Sequence, residues 1–268
     1  MSHLEFLAGG EAQYSKLTHR TGYKTLLSTS LPSTLRNLHI FEDFNEILHP
    51  ERYASCTEPP ESANPALGKA LSNSSRTIEN LSAAFLIDAK DFLADFFPAR
   101  HLVSPVLPWT NLRTLALTSA LLHPKRKRSQ INNLLIAAVR AAAFMPKLET
   151  MEIWDGSKGN ICVFRYERAG EKGKPQITWA SNWVRHVFLY DSVVRCWEAN
   201  LAVQMQRLGG IISVVHIPRK RGTVKSFAGA IPFLKLRGEI WDPVSEFQLQ
   251  LVERARCKKQ CKSLETNV

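Results

Sequence analysis

Apolar residues recur along the first 160 residues in one short phrase: two apolar positions three apart, then a third two residues later. The spacing of two places the last two apolar residues of each phrase on one face of an extended strand. The phrase therefore predicts four equivalent strands. It reads Leu35-x-x-Leu38-x-Ile40, Ile78-x-x-Leu81-x-Ala83, Leu112-x-x-Leu115-x-Leu117 and Leu148-x-x-Met151-x-Ile153.

The phrase returns at a nearly regular interval. Its second positions lie 43, 34 and 36 residues apart, and Leu4 and Phe6 stand 34 residues before Leu38 and Ile40. These two residues predict a fifth strand at the start of the sequence, as if the first repeat were truncated there. A proline shortly before a phrase favours extended structure at its start, and three phrases have one: Pro32, Pro108 and Pro146.

The segments between the phrases have helical periodicity. The clearest, SQINNLLIAAVRAAAFMP, has apolar residues three and four apart, with Ser129 as the expected N-cap and Pro146 as the expected stop. Further helices are expected over 87–98, over 65–71 and, from a weaker pattern, over 11–27. The Pro-, Ser- and Glu-rich stretch within 53–75 is typical of a surface loop.

Units of strand, loop and helix with parallel strands bury their apolar faces by stacking on one another. We therefore expect an α/β fold, an irregular leucine-rich-repeat-like solenoid with parallel strands and flanking helices. The units exceed the usual length of about 20–29 residues. The expected Asn or Cys is also missing, since Asp43, Leu86, Ala120 and Gly156 occupy that position. An ordinary α/β domain whose strands merely look alike is the alternative.

After residue 160 the pattern changes to a hairpin and helices. ICVFRYE and PQITWAS are β-type runs around a charged, glycine-containing tip, and helices are expected from Asp191 to Gly209 and from Asp242 onwards. We expect three regions: repeats over 1–160, a hairpin and helical part over 161–253 packed on the same solenoid, and a basic tail over 254–268. Residues 211–228 look inserted.

LRTLALTSALL, INNLLIAAVRAAAFMPKLETMEIWDG, VFRY, ITW and DPVSEFQLQLVE resemble a family of uncharacterised filamentous-fungal proteins. Its members carry a domain of unknown function over leucine-rich-repeat-like sequence, and relatives often have an F-box-like segment upstream. The resemblance covers roughly residues 112–253. It implies a fold class, but it carries no catalytic residue over to this chain.

Positive charge is concentrated in the second half. The net charge is +11; residues 1–122 carry 10 Lys and Arg against 12 Asp and Glu, whereas residues 123–268 carry 25 against 12. Two basic runs stand out, and either a nuclear import signal or a contact with an acidic partner would use such a run. A solvated loop is the alternative. The runs are Lys125, Arg126, Lys127 and Arg128, and Arg219, Lys220 and Arg221.

Composition bounds the location and the chemistry. Apolar residues make up 44%, no apolar run approaches the roughly 20 residues of a membrane helix, and five cysteines imply no disulfide framework. We expect a cytoplasmic or nuclear protein without membrane contact. The chain has no P-loop, no G-x-S-x-G and no H-E-x-x-H, and no aromatic residues interleave with the basic runs. Hence we expect no catalytic, cofactor or metal site, and no specific recognition of nucleic acid.

Three smaller groupings fit ordinary structure better than chemistry. Cys257 and Cys261 share a helical face without further metal ligands, and His186 near Asp191 lacks a nucleophile motif. Trp154, Trp179, Trp183 and Trp197 are expected to fill core or edge positions.

The strands themselves offer a candidate binding surface. With the phrase residues buried, the alternate residues face the other way and would line the concave, partner-binding face of a solenoid, unless other segments cover them. We therefore expect a non-enzymatic protein-interaction module whose partner is unknown. A substrate-receptor fragment of an F-box-type ubiquitin ligase and a hydrolase with an unrecognised site are the alternatives. The candidate partner-binding residues are Asn37, His39, Asn80, Ser82, Thr114, Ala116, Glu152 and Trp154.

Overall fold

Eight strands form one sheet in sequence order, so each inner strand pairs with the strands before and after it. The computed structural model describes residues 3–8, 25, 27, 31–42, 65–98, 107–156, 160–169, 174–183, 191–205, 213–218 and 229–241. The strands are β1 (His3–Ala8), β2 (Asn37–Glu42), β3 (Asn80–Ala84), β4 (Thr114–Thr118), β5 (Thr150–Asp155), β6 (Cys162–Glu167), β7 (Gln176–Ser181) and β8 (Ser213–Pro218).

The sheet is mostly parallel. Strands β1 to β5 pair in parallel, as do β7 and β8, and only β6 runs antiparallel to both of its neighbours. The hairpin expected after residue 160 is confirmed as β6–β7. Strand β8 lies within residues 211–228, the stretch that looked inserted, and it pairs with β7.

The repeated phrase aligns strand by strand. Two rows of phrase residues lie in register across β1 to β5. The first row is Leu4, Leu38, Leu81, Leu115 and Met151, and the second, two residues further along each strand, is Phe6, Ile40, Ala83, Leu117 and Ile153. The predicted parallel ladder, including its fifth strand, is therefore confirmed. Among the four strands β2 to β5, the phrase residues are all buried in one core beneath the helices.

Five helices accompany the sheet in the described part of the chain. They are α1 (Pro65–Ser74), α2 (Ala89–Phe92), α3 (Arg128–Ala142), α4 (Asp191–Met205) and α5 (Arg237–Ile240). Helix α1 confirms the short helix expected there, and α4 confirms the one expected from Asp191. Most of the helix expected over 11–27, and all of that expected from Asp242, lie outside the described residues.

The expected N-cap of α3 is wrong. The helix begins at Arg128, so Ser129 lies inside its first turn and Lys127 occupies the cap position. The Gln130 side chain reaches back, and its Oε1 accepts a hydrogen bond from the Lys127 N–H at 3.1 Å. This contact closes the end of the helix without a serine. The helix ends at Ala142, before Pro146.

The helix expected over 87–98 is interrupted. Its observed parts are α2 and a 3-10 turn, Ala94–Phe96. Asp88 caps α2: its Oδ1 accepts from the Lys90 N–H and from Ser119 Oγ, each at 2.7 Å, and its Oδ2 accepts from the Ala120 N–H at 2.9 Å. This buried carboxylate therefore links the start of α2 to the carboxyl end of β4.

Both faces of the sheet are covered in the described structure. The first face packs under α1 to α4, with the phrase residues and Trp197 in its core. The second face carries a smaller apolar cluster in which Phe41, Ala84, Ala116 and Trp154 contact a segment from the end of the described chain. That segment determines which of the predicted partner-binding residues are accessible.

Candidate interaction surface

The second face of the sheet lies beneath residues 229–241, called here the cover segment. It contains a 3-10 turn (Ile231–Phe233) and α5, and it buries Ile231, Leu234, Ile240 and Trp241 against the sheet. The expectation of an open concave face is therefore corrected. Ser82, Ala116, Glu152 and Trp154, predicted to contact a partner, are each at most 1% exposed.

Glu152 holds the cover segment at its centre. Its Oε1 accepts from the Lys235 N–H at 2.9 Å and its Oε2 from the Leu236 N–H at 2.8 Å. Arg165, its register partner on β6, donates from Nε to Oε1 at 2.6 Å. The same guanidinium donates from Nη2 to the Phe233 carbonyl at 3.0 Å. A strand position that alternation assigns to solvent thus carries a fully buried, fully paired carboxylate.

Two contacts secure the margins of the cover segment. Lys235 Nζ pairs with Glu167 Oε1, although the lysine is about half exposed. At the other margin, the Trp241 ring lies 4.1 Å from the Phe41 ring, centroid to centroid. Polar and aromatic contacts together fix the segment across β2 to β6.

A polar row remains at the amino ends of the strands, formed by Asn37, Asn80 and Thr114 as register partners. Asn80 Nδ2 donates to Asn37 Oδ1 at 2.6 Å, and Thr114 Oγ1 donates to Asn80 Oδ1 at 2.8 Å. Thr114 also contacts Glu239 of α5. Burial raises the pKa of Glu239, the hydrogen bond with Thr114 opposes this, and the nearby Glu152 carboxylate adds to the rise.

These three polar residues and His39 are half-buried, whereas the other four predicted partner-binding residues are buried. The predicted surface is thus divided. Its central part is occupied by the cover segment, and its amino-end part stays accessible beside the polar row. Register also makes His39 and Ser82 neighbours on β2 and β3.

A row of alternating charges lies one residue outside the polar row. Four of its five residues directly precede their strands, and successive backbones are joined by hydrogen bonds of 2.7–2.8 Å, as from the Arg113 N–H to the Glu79 carbonyl. Arg36 Nε lies 3.6 Å from Glu79 Oε1, and Arg113 pairs with Glu149. This charge row consists of Arg36, Glu79, Arg113, Glu149 and Arg168, the last of which follows the antiparallel β6.

Four residues of the charge row are at least about one-third exposed, whereas Arg168 is half-buried and donates from Nη2 to the Pro146 carbonyl at 2.6 Å. The side chains of Arg36, Glu79, Arg113 and Glu149 are 47%, 36%, 50% and 53% exposed, respectively. Sequence reasoning missed the row although its signal was present: the second residue of each phrase alternates between Arg and Glu.

The first basic run and the charge row lie at opposite ends of β4. Lys125, Arg126 and Lys127 follow the 3-10 turn Ala120–Leu122 after the carboxyl end of β4, and Arg128 begins α3. Arg126 is half-buried and the other three are exposed. Arg219, Lys220 and Arg221 directly follow β8 but lie outside the described residues, as do His186, Cys257 and Cys261.

Four buried or half-buried ionisable groups in the described residues have raised pKa values. Burial raises the pKa of Asp88 despite its hydrogen bonds, and burial with the Asp155 charge raises the pKa of the Cys162 thiol. Burial also raises the pKa of Tyr166, with Arg168 opposing the rise, and Glu239 is the fourth group. Among the described residues, no group of three or more His, Cys, Asp or Glu side chains could hold a metal ion. Within the same part of the chain, no helix is long and apolar enough to cross a membrane.

The architecture defines a mixed α/β protein with a mostly parallel sheet covered by helices on one face and by the cover segment on the other. Residues 30–242 match the model of a family of unknown function, DUF6546, and the chain belongs to that family. No curated protein matches the chain significantly. No solved structure matches it significantly either. The ubiquitin-ligase and hydrolase expectations stay predictions.

Proposed function

We propose that this chain is a non-enzymatic protein-interaction module, an irregular leucine-rich-repeat-like solenoid that binds its partner along the amino-end edge of the sheet. The in-register rungs of β1 to β5, with helices on one face, support the repeat interpretation. The partner itself is unknown.

The charge row is the observation that carries this proposal. Exposed ion pairs typically contribute about 0–1 kcal/mol each, so folding stability gives little reason for the four exposed, alternating charges of this row. Strand ends hold their side chains at fixed spacing, and a fixed alternating pattern favours one partner and one docking register over others. The polar row beside it adds hydrogen-bonding groups for the same partner.

The test exchanges the two charged residues of one ion pair with each other. The double variant Arg113→Glu with Glu149→Arg keeps an ion pair between β4 and β5 but reverses the charge pattern shown to a partner. The matched control exchanges the exposed Lys69–Asp95 pair, whose charged atoms lie 3.8 Å apart on α1 and the 3-10 turn after α2.

Proteins captured by the wild-type chain from cells are identified, purified and titrated against both variants. We expect the Arg113/Glu149 exchange to weaken binding at least about tenfold, or 1.4 kcal/mol, with an unchanged melting temperature, and the control to bind as wild type. A purified partner that binds the exchanged protein and the wild type equally would contradict the proposed surface.

A further inference from the structure

We propose that Ser129 is a phosphorylation site for a protein kinase that selects basic residues before the acceptor serine. The inference is independent of the proposed function, because it concerns the opposite end of β4. In the transfer, the γ-phosphoryl group of ATP forms a bond to Ser129 Oγ, its bond to the bridging oxygen of ADP breaks, and the hydroxyl proton leaves.

The sequence before Ser129 supplies the recognition charges. Lys125, Arg126, Lys127 and Arg128 occupy the four positions that precede it. Ser129 itself is exposed, as are three of these cations. A kinase active site with acidic side chains would therefore find both the acceptor and its charges on the same surface segment.

The accessible segment is bounded by buried anchors on both sides. Leu122 and His123 are buried before it, and Ile131, Leu134 and Leu135 are buried after it. Residues 124–130 between these anchors are exposed or half-buried. The segment can thus open to meet an active site while the rest of α3 stays packed on the core.

The charges at the amino end of α3 favour its opening. Its first turn has no acidic residue, and four cations stand at a helix terminus that is already partially positive. Each cation there opposes the helical conformation. The serine does not close the cap, because Gln130 makes that contact with the Lys127 N–H. A kinase can therefore engage Ser129 without breaking a cap bond made by its hydroxyl.

Phosphorylation would reverse the electrostatics of this end. A phosphoserine carries about −1.5 to −2 charges, which are favourable in the first turn of a helix and beside Lys and Arg. The modified end would be more ordered, and the run would lose about half of its positive charge. An acidic partner or import receptor that recognises the unmodified run would then bind the phosphorylated protein more weakly.

The test uses the full chain and the catalytic subunit of a serine/threonine kinase that selects arginine three residues before the acceptor. Four proteins are compared: wild type, Ser129→Ala, Arg126→Ala and, as a matched charge control, Lys147→Ala, whose lysine lies beyond α3 and contacts Asn111. A synthetic peptide of residues 121–135 is assayed in parallel. Mass spectrometry counts the phosphates and fragmentation locates them, so that phosphate on Thr223 after the second basic run is distinguished.

We expect one phosphate on Ser129 in the wild type, none there in Ser129→Ala, a kcat/KM about tenfold lower for Arg126→Ala, and no change for Lys147→Ala. Amides at the start of α3 should exchange about threefold more slowly after modification. Three results would overturn the proposal: equal incorporation into Ser129→Ala, a modified peptide with an unmodified folded chain, or no modification of either.

Discussion

Glu152 and Arg165 are register partners on β5 and β6. The Glu152 carboxylate is fully buried, and it accepts a hydrogen bond from the Arg165 Nε–H at 2.6 Å. Two backbone N–H groups of the cover segment also donate to this carboxylate. A single acidic side chain thus joins the hairpin to the chain that crosses the sheet. The pair stabilises the fold only as long as both partners remain.

Removing the carboxylate should therefore be costly. Glu152→Ala removes the carboxylate that accepts from Arg165 Nε, so that the guanidinium, which is 16% exposed, keeps only the Phe233 carbonyl and Glu167 at 3.9 Å. It also leaves the N–H groups of Lys235 and Leu236 without acceptors. We expect the free energy of unfolding to fall by about 3–5 kcal/mol, measured by urea denaturation. Glu149→Ala, an exposed member of the charge row, is the control and should change it by less than about 1 kcal/mol. Equal losses in the two variants would show that Glu152 does not hold the cover segment.

A second prediction concerns the packed side of the ladder. Leu115 lies at the centre of the sheet and is 0% exposed, so Leu115→Ala removes buried methyl groups and leaves a cavity. The expected loss is about 2–5 kcal/mol in the free energy of unfolding. Leu107→Ala is the control, since that side chain is 69% exposed, and a change within about 0.5 kcal/mol is expected. A small loss at Leu115 would mean that the aligned rungs do not form the core.

Much of this ladder could be predicted from the sequence because the rule behind it is local. A spacing of two fixes a strand face, and the phrase at Leu38, Leu81, Leu115 and Met151 fixes the register of each strand with the next. The helix boundaries were less predictable. At α3, the cap position is Lys127, two residues before the serine that the pattern favoured, and Gln130 supplies the capping contact.

The candidate site was harder to predict because its parts are far apart in sequence. Alternation along β5 assigns Glu152 to a polar, solvent-facing side. Its burial is made acceptable by hydrogen bonds from Arg165 on the next strand and from Lys235 and Leu236, which lie 83 and 84 positions later in the sequence. The cover segment is short and lacks a helix or strand period over most of its length. The charge row could be recognised only by comparing the second residue of each phrase from one repeat to the next.

Glu239 gives the fold a predicted pH dependence. Its folded-state pKa lies above the ordinary value of 4.5, because burial disfavours the charged form. The folded protein then binds more protons than the unfolded chain between these two pKa values, so stability is fullest below the unfolded value and falls as pH rises through the folded one. We expect Glu239→Gln, which keeps a neutral side chain, to be more stable than wild type at pH 7.

The comparison between these two proteins isolates Glu239 from Asp88, whose pKa is also raised and whose contribution is common to both. The stability difference, measured by urea denaturation at a series of pH values, should shrink as pH falls towards 4.5 and vanish below it. A difference that stays constant over this range would assign the effect to packing and not to ionisation.

A substitution at the margin of the cover segment tests whether this segment can open separately from the rest of the fold. Trp241 is 4% exposed and stacks its edge against Phe41, so Trp241→Ala removes the aromatic anchor while leaving the Glu152 contacts available. Hydrogen exchange should then accelerate about tenfold or more at the Lys235 and Leu236 amides, and remain unchanged at the buried core of α3. Pro232→Ala, an exposed change within the same segment, serves as the control. If the α3 amides accelerate as much as those of the cover segment, the two parts unfold together, and the sheet face beneath the segment is never exposed by local opening.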